Sequence, residues 1–249
     1  VDNILETKAL TKEFKGFVAV NGVDLAVHRG TIHALIGPNG AGKTTCFNLL
    51  TKFLTPTSGN IVYNGRDITR EKPAMIARQG LVRSFQISAV FPHLTALENV
   101  RIALQRGRGG SFDFWRSERI LNEMNAKAGE LLEAVGLAEY ASVHASDLSY
   151  GRKRALEIAT TLALDPELML LDEPMAGMAQ EDIERISALI RRVAANRTIL
   201  MVEHNLSVVA NLSDTITVLA RGKVLAEGNY ATVSKDPRVI DAYIGVGHA

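Results

Sequence analysis

A single cysteine, Cys46, excludes an internal disulfide framework and fits a reducing compartment. No apolar run approaches the ~18–20 residues needed to cross a bilayer. The opening stretch, VDNILETKAL, lacks the basic-then-apolar pattern of a secretory leader, so a cytosolic protein is expected. Charge of one sign is missing too: 28 Lys and Arg stand against 27 Asp and Glu, a net charge of +1. A chain that lives on nucleic acid usually shows a basic face, and this balance argues against one. Long internal repeats, linkers and a long coiled coil are also absent.

What is present is an ordinary globular composition, 47% apolar and 22% charged over 249 residues. That length suits one α/β domain or a domain with a large insertion. Residues 3–30 read as short alternating strands, ILETKAL and VDLAV, with turns at Gly16, Gly22 and Gly30. TIHALI (31–36) is a compact apolar strand, and TTCFNLLTKFL reads as a helix ending before Pro56. GNIVYNGRDI reads as a strand closed by Asn64-Gly65, a strong turn pair. Residues 87–164 take on helical periodicity, clearest over 98–104 and 120–135. LMLLD (168–172) and RTILMVEH (197–204) are buried-strand patterns separated by a helix over 180–194. TITVLARGKVLAEG (215–228) is a hairpin around Arg221-Gly222. This alternation around a helical middle predicts a mostly parallel sheet with an inserted helical subdomain.

Gly37-x4-Gly42-Lys43-Thr44 fits the phosphate-loop pattern and sits between a predicted strand and a predicted helix, the context that pattern requires. Glycines let the backbone wrap with its N–H groups turned onto phosphates. The helix N-terminus beyond adds partial positive charge. The expected cradle is Gly37, Pro38, Asn39, Gly40, Ala41, Gly42, Lys43, Thr44 and Thr45. Lys43 should reach the β/γ phosphates, and the Thr44 hydroxyl should bind Mg²⁺.

LMLLDEP puts Asp172 and Glu173 at the C-terminal end of a buried strand, the edge where open α/β sheets gather ligands. Asp172 is expected to hold Mg²⁺, directly or through water, and Glu173 to polarise the attacking water. Phosphoryl transfer needs an aligned nucleophile and neutralised charge, which divides the work this way. His204, after the next apolar strand, falls on the same edge and is expected to donate to the γ-phosphate. Gln86 closes LVRSFQ, placed to approach Mg²⁺ and the water. Phe14 or Phe17, in KEFKGFVAV, is a candidate for stacking on adenine, with Phe14 preferred.

A second anion site is legible in DLSYGRKRALEIATTLALDP. Ser149 stands where it caps a helix whose apolar positions include Leu156, Ala159 and Ala163, and Asp165-Pro166 ends that helix. Ser149 and the Gly151 backbone thus lie at the positive end of a helix dipole.

Taken in order, these elements resemble the ATP-binding subunit of ABC transporters over essentially the whole chain. The resemblance rests on the Walker A loop at 37–44, the glutamine loop at Gln86, the signature LSYGR, the Walker B segment LMLLDEP and the switch histidine in MVEHN. It implies a single ABC domain over 1–249. Residues 1–86 and 165–230 would form the nucleotide-binding core, 87–164 the helical subdomain and 231–249 a C-terminal tail. The implied fold is an α/β P-loop ATPase with a RecA-like, mostly parallel core and an N-terminal antiparallel β subdomain. It also implies ATP and Mg²⁺ as ligands and a head-to-tail dimer with a second copy or a paralogous subunit. In that dimer each Ser149 and Gly151 faces the γ-phosphate held by the partner's phosphate loop.

Two departures stand out. The usual LSGGQ reads Leu148-Ser149-Tyr150-Gly151-Arg152, which puts a nucleotide contact by the fifth residue in question. Where many relatives place an aspartate after Walker B, this chain has Ala179, which puts site-to-site communication through that side chain in question.

RSFQ, LSYGRKR, EPMAGMA, VEHNL and DAYIG together look like the subfamily serving branched-chain and other hydrophobic amino acid importers. They resemble urea/amide importer subunits nearly as well and lipopolysaccharide-export ATPases less closely. The implied partners are separate transmembrane permease subunits, whose cytoplasmic helices would be received by the helical insertion and the groove near 86–97, and an extracytoplasmic substrate-binding protein. The implied location is the cytoplasmic face of the membrane. Basic residues interleaved with Phe112, Phe114 and Trp115 offer an RNA-stacking alternative, set aside on the charge balance. A soluble ABC ATPase acting on DNA or ribosomes would need a long coiled coil or paired ATP domains, and neither is present.

Overall fold

Strand alternation decides the architecture. The computed structural model describes residues 2–84, 90–107 and 118–244. In it β1 (Asn3–Phe14) and β2 (Phe17–His28) precede β3 (Ile32–Ile36), and α1 (Lys43–Leu50) follows. Next come β4 (Ser58–Tyr63), β5 (Arg66–Asp67), α2 (Pro73–Arg78), β6 (Leu81–Ser84), α3 (Ala96–Gly107), α4 (Glu118–Ala134) and α5 (Tyr150–Leu162). The second half holds β7 (Leu168–Asp172), α6 (Gln180–Ala194), β8 (Thr198–Val202) and α7 (Leu206–Leu212). A closing segment holds β9 (Thr215–Ala220), β10 (Lys223–Gly228), α8 (Tyr230–Val233) and α9 (Pro237–Ile244).

β3, β7 and β8 are buried along their whole length. Near-continuous apolar runs of this kind belong to strands covered on both faces. They sit in a six-stranded sheet of order β10-β9-β3-β8-β7-β6, parallel except for β10. Successive side chains point to opposite faces. Leu35, Leu168, Leu170 and Leu200 therefore enter one core with Phe47 of α1 and Leu5, Val27 and Ile61 of the second sheet. Ala34, Met169, Leu171 and Met201 enter the other core with Val100, Leu132, Leu156 and Leu189 of the helices. The second sheet is antiparallel, four strands in the order β2-β1-β4-β5. Among the described residues no helix is long and apolar enough to cross a membrane.

Local chemistry sets several boundaries. α3 begins with a reciprocal cap: the Thr95 N–H donates to Glu98 Oε2 at 2.8 Å and the Glu98 N–H to Thr95 Oγ1 at 3.2 Å. α6 spans the expected residues, with Ile186, Leu189 and Ile190 buried. Its acidic first turn and basic last turn complement the helix dipole. The Asn64-Gly65 and Arg221-Gly222 turns both take positive φ, as two-residue hairpins require.

Three expectations are corrected. β1 and β2 are twelve residues each rather than short, and Gly22 lies inside β2 at a register shift instead of ending it. The first helix stops at Leu50, before the expected end, because Thr51 Oγ1 donates back to Phe47 O at 2.7 Å and Lys52 turns left-handed at φ 64°. α5 ends at Leu162, ahead of Asp165-Pro166, and Asp165 itself takes φ 50°.

Ala179 occupies the N-cap of α6 in extended geometry, with no side-chain acceptor for the first-turn N–H groups. Ala179→Asp is expected to stabilise the fold by about 1 kcal/mol, raising Tm by about 2–4 °C in a chain of this size. Thermal unfolding reads this; an unchanged Tm would show those N–H groups to be satisfied already.

Candidate active site

Because β3, β8, β7 and β6 are parallel neighbours, their C-terminal ends share one edge, and the register places Leu35 and Asp172 on either side of Val202. The loops carrying residues 37–45, 172–173 and 203–204 leave from this edge. Gln86, two residues past the end of β6, lies outside the described residues, as do Phe112, Phe114 and Trp115.

The phosphate loop is braced from beneath by backbone. The Gly222 N–H donates to Ala41 O at 3.0 Å, and the Asn21 N–H donates to Gly222 O at 2.8 Å, tying the loop to the β9–β10 turn and to β2. A Cβ on Gly37 would stand 2.2 Å from Leu219 O, and one on Gly42, at φ 100°, would stand 2.5 Å from Ala19 O. Neither position admits a side chain. Asn39, Gly40 and Thr44 are exposed, Pro38 and Thr45 half-buried, and Ala41 buried. Lys43 folds into the loop, its Nζ donating to Gly37 O at 2.6 Å and Pro38 O at 3.0 Å. Burial pushes its ammonium below the usual lysine range, against the opposing pull of Glu173 and Asp172.

At the end of β7, Asp172 is nearly buried and pairs through Oδ2 with Arg83 of β6, which also donates to Asn48 Oδ1 at 2.7 Å. Glu173 takes φ 45°, an uncommon backbone state for a residue with a Cβ, while its N–H donates to Val202 O at 2.9 Å. Its carboxylate is exposed on the edge, with Oε2 3.9 Å from His204 Nδ1. Thr44 and Asp172 offer oxygen ligands, and among the described residues no cluster of three His, Cys, Asp or Glu forms a cage. That donor set fits Mg²⁺, which usually takes one or two protein oxygens and completes its shell with phosphates and water.

Two neighbours of this edge escaped the sequence reading beyond their letters. Arg154 of α5 and Glu203 after β8 are both buried and both bond the loop that carries Glu173. Arg154, in the basic stretch GRKRA, gave no sign of its burial, whereas Glu203, closing the apolar run TILMVE, carried one: a charge among apolar residues stays buried only when paired. Arg83, in LVRSFQ, carried the same signal.

The aromatic candidates are not core. Phe14 and Phe17 face each other across the β1–β2 turn, 41% and 66% exposed, and Lys12 Nζ lies 5.1 Å from the Phe14 ring centre. Ser149 is the exposed N-cap of α5, but its side chain makes no capping bond, contrary to the expected cap. The turn is held instead by Tyr150, whose hydroxyl donates to Ala176 O at 3.0 Å. Gly151 is buried; a Cβ there would come within 2.4 Å of Asp182 Oδ1. Arg152 stacks on Tyr140, its guanidinium carbon 4.1 Å from the ring centre.

A parallel sheet that delivers a glycine-rich phosphate loop, an acidic pair and a histidine to one edge defines a P-loop nucleoside triphosphatase. The ABC transporter family profile matches residues 20–176, and a second, described as branched-chain amino acid ATP-binding cassette transporter, matches residues 223–249. The high-affinity branched-chain amino acid transport ATP-binding protein BraF of Pseudomonas aeruginosa is 41% identical, over 97% of this chain and 98% of its own. The solved ADP conformation of the ATP-binding cassette MJ1267 superposes with TM-score 0.87 at 31% identity, covering 98% of this chain and all of that one. A dimeric post-hydrolysis cassette, MJ0796 bound to ADP and Pi, superposes with TM-score 0.76 at 25% identity, covering 91% and 98%. The chain belongs to the ABC transporter ATP-binding family, whose members bind and hydrolyse ATP.

Proposed function

We propose that the chain is the ATP-hydrolysing motor of an importer for branched-chain or other hydrophobic amino acids, working as a head-to-tail dimer on separate permease subunits at the cytoplasmic face of the membrane. The observation that carries this reading is likeness to branched-chain amino acid transport ATP-binding proteins along the whole chain, its C-terminal segment included.

In this reading ATP lies on the backbone N–H groups of residues 37–45, with adenine against Phe14. Lys43 exchanges its bonds to Gly37 O and Pro38 O for the β/γ phosphates, which relieves the cost of its burial. Thr44 and Asp172, with Gln86 as the sequence expects, would hold Mg²⁺, which would neutralise phosphate charge. Glu173 accepts a hydrogen bond from the attacking water and orients it. His204, beside Glu173, donates to the γ-phosphate. Ser149 and the Gly151 backbone of the second subunit complete the pocket at the positive end of α5. The Arg152–Tyr140 stack supports a signature whose fifth side chain is turned to its own subunit.

For the permease, the support is the 90–95 loop. Asn99 is buried and locks that loop, accepting from the Phe91 N–H at 2.7 Å and donating to Thr95 O at 2.9 Å. Phe91 is thereby presented 53% exposed on a fixed backbone. An extracytoplasmic binding protein supplies the substrate.

The test is co-reconstitution with its permease subunits and binding protein in proteoliposomes. ATP-dependent uptake of leucine, isoleucine or valine is expected. Uptake of urea or an amide instead would reassign the importer, and ATPase activity unresponsive to any loaded binding protein would remove the importer reading.

A further inference from the structure

Glu173 holds a left-handed backbone without being glycine, and such a conformation persists only where its surroundings impose it. Two buried charges, carried by different elements, bond the loop that carries it. From α5, Arg154 donates through Nη2 to Asp172 O and Glu173 O, each at 3.0 Å, and through Nε to Pro174 O at 3.1 Å. Its remaining edge pairs with Glu157 at 2.5 Å, which keeps the guanidinium from being buried uncompensated. From the end of β8, Glu203 accepts the Met175 N–H on Oε1 at 3.0 Å. Its Oε2 accepts the His204 N–H at 3.2 Å and the Asn205 N–H at 3.5 Å. The cation thus takes the loop's carbonyls and the anion takes its N–H group. Both charges are matched to backbone polarity, where a neutral side chain would bond more weakly.

We propose that Arg154 and Glu203 are positioning residues for hydrolysis, a two-residue clamp that fixes the carboxylate of Glu173 and links it to both the signature helix and the His204 turn. The proposal rests on Glu173 acting as the group that orients water. The links give the clamp a second consequence. Arg154 lies about one and a half turns beyond Ser149 on α5, so a ligand that draws on the start of that helix also bears on the loop holding Glu173. Glu203 ties the same loop to the backbone of His204. A shift of about 1 Å in a reacting group can cost about 10²-fold in rate, so a clamp of this kind acts on turnover and leaves binding alone.

The experiment is a kinetic cycle on the full chain. Glu203→Gln keeps the shape but turns an amide N–H toward a backbone donor. Arg154→Met combined with Glu157→Leu removes the buried pair together, so that no charge is stranded. Each is expected to lower kcat about 10²-fold while nucleotide affinity and KM for ATP stay within about twofold. In a Glu173→Gln background, single-turnover hydrolysis should fall by less than about twofold further, since groups acting through one residue are not additive. Unchanged kcat in Glu203→Gln, a fall in nucleotide affinity that matches the fall in kcat, or losses that multiply in the combined variant would overturn the clamp with the base intact. Wild-type turnover in Glu173→Gln alone would instead remove the base, and the clamp with it.

Discussion

Glu173→Gln is expected to bind ATP as the parent does and to hydrolyse it about 10²–10⁴-fold more slowly. The substitution is nearly isosteric, and the side chain is exposed on the sheet edge, so the fold has little to lose. Its backbone bonds to Val202 and Arg154 do not involve the carboxylate. What changes is the capacity to accept a proton from, or a strong hydrogen bond by, the attacking water. With hydrolysis slowed and binding intact, ATP should accumulate between two subunits, and sedimentation in ATP should show a persistent dimer. Steady-state hydrolysis at saturating ATP, with binding measured by a fluorescent nucleotide, separates the two effects. Turnover at the parent rate would reassign the base.

Ser149→Arg should do the reverse, leaving the ATP affinity of the isolated chain near normal while abolishing ATP-driven dimerisation. The hydroxyl makes no capping bond within its own subunit, so its loss is cheap at home. The phosphate loop rests on β2, β9 and the β9–β10 turn, and so does not depend on Ser149. The cost falls on the neighbour, whose γ-phosphate would meet the bulk of arginine where a small hydroxyl is expected. Sedimentation of the variant in ATP checks this, and a dimer population equal to that of the parent would count against a shared pocket.

How much of this was legible in the letters depends on whether the determining physics is local. LMLLD and TILMV announced buried strands because both faces are covered and every position is apolar. The helix over 180–194 announced itself by period and by charged ends matched to its dipole. The phosphate loop announced itself because backbone packing against Leu219 and Ala19 leaves room for nothing larger than glycine. Other features were set by distant partners. Arg152 could be read as a departure from a pattern, but its stacking on Tyr140 required the fold. The pairing of Arg83 with Asp172 and the grip of Arg154 and Glu203 on the Glu173 loop likewise join residues far apart in sequence. Charges beside apolar residues marked Arg83 and Glu203 without naming their partners, while Arg154, next to Arg152 and Lys153, was unmarked.

The account stands on a pocket completed by two subunits, and the most direct measurement is ATP hydrolysis per chain as a function of chain concentration, with sedimentation on the same samples. Activity per chain should fall toward zero on dilution as the protein becomes monomeric and reach a plateau where ATP holds it as a dimer, with Ser149→Arg flat near zero throughout. Constant activity per chain across that range, from a protein that sediments as a monomer, would contradict it.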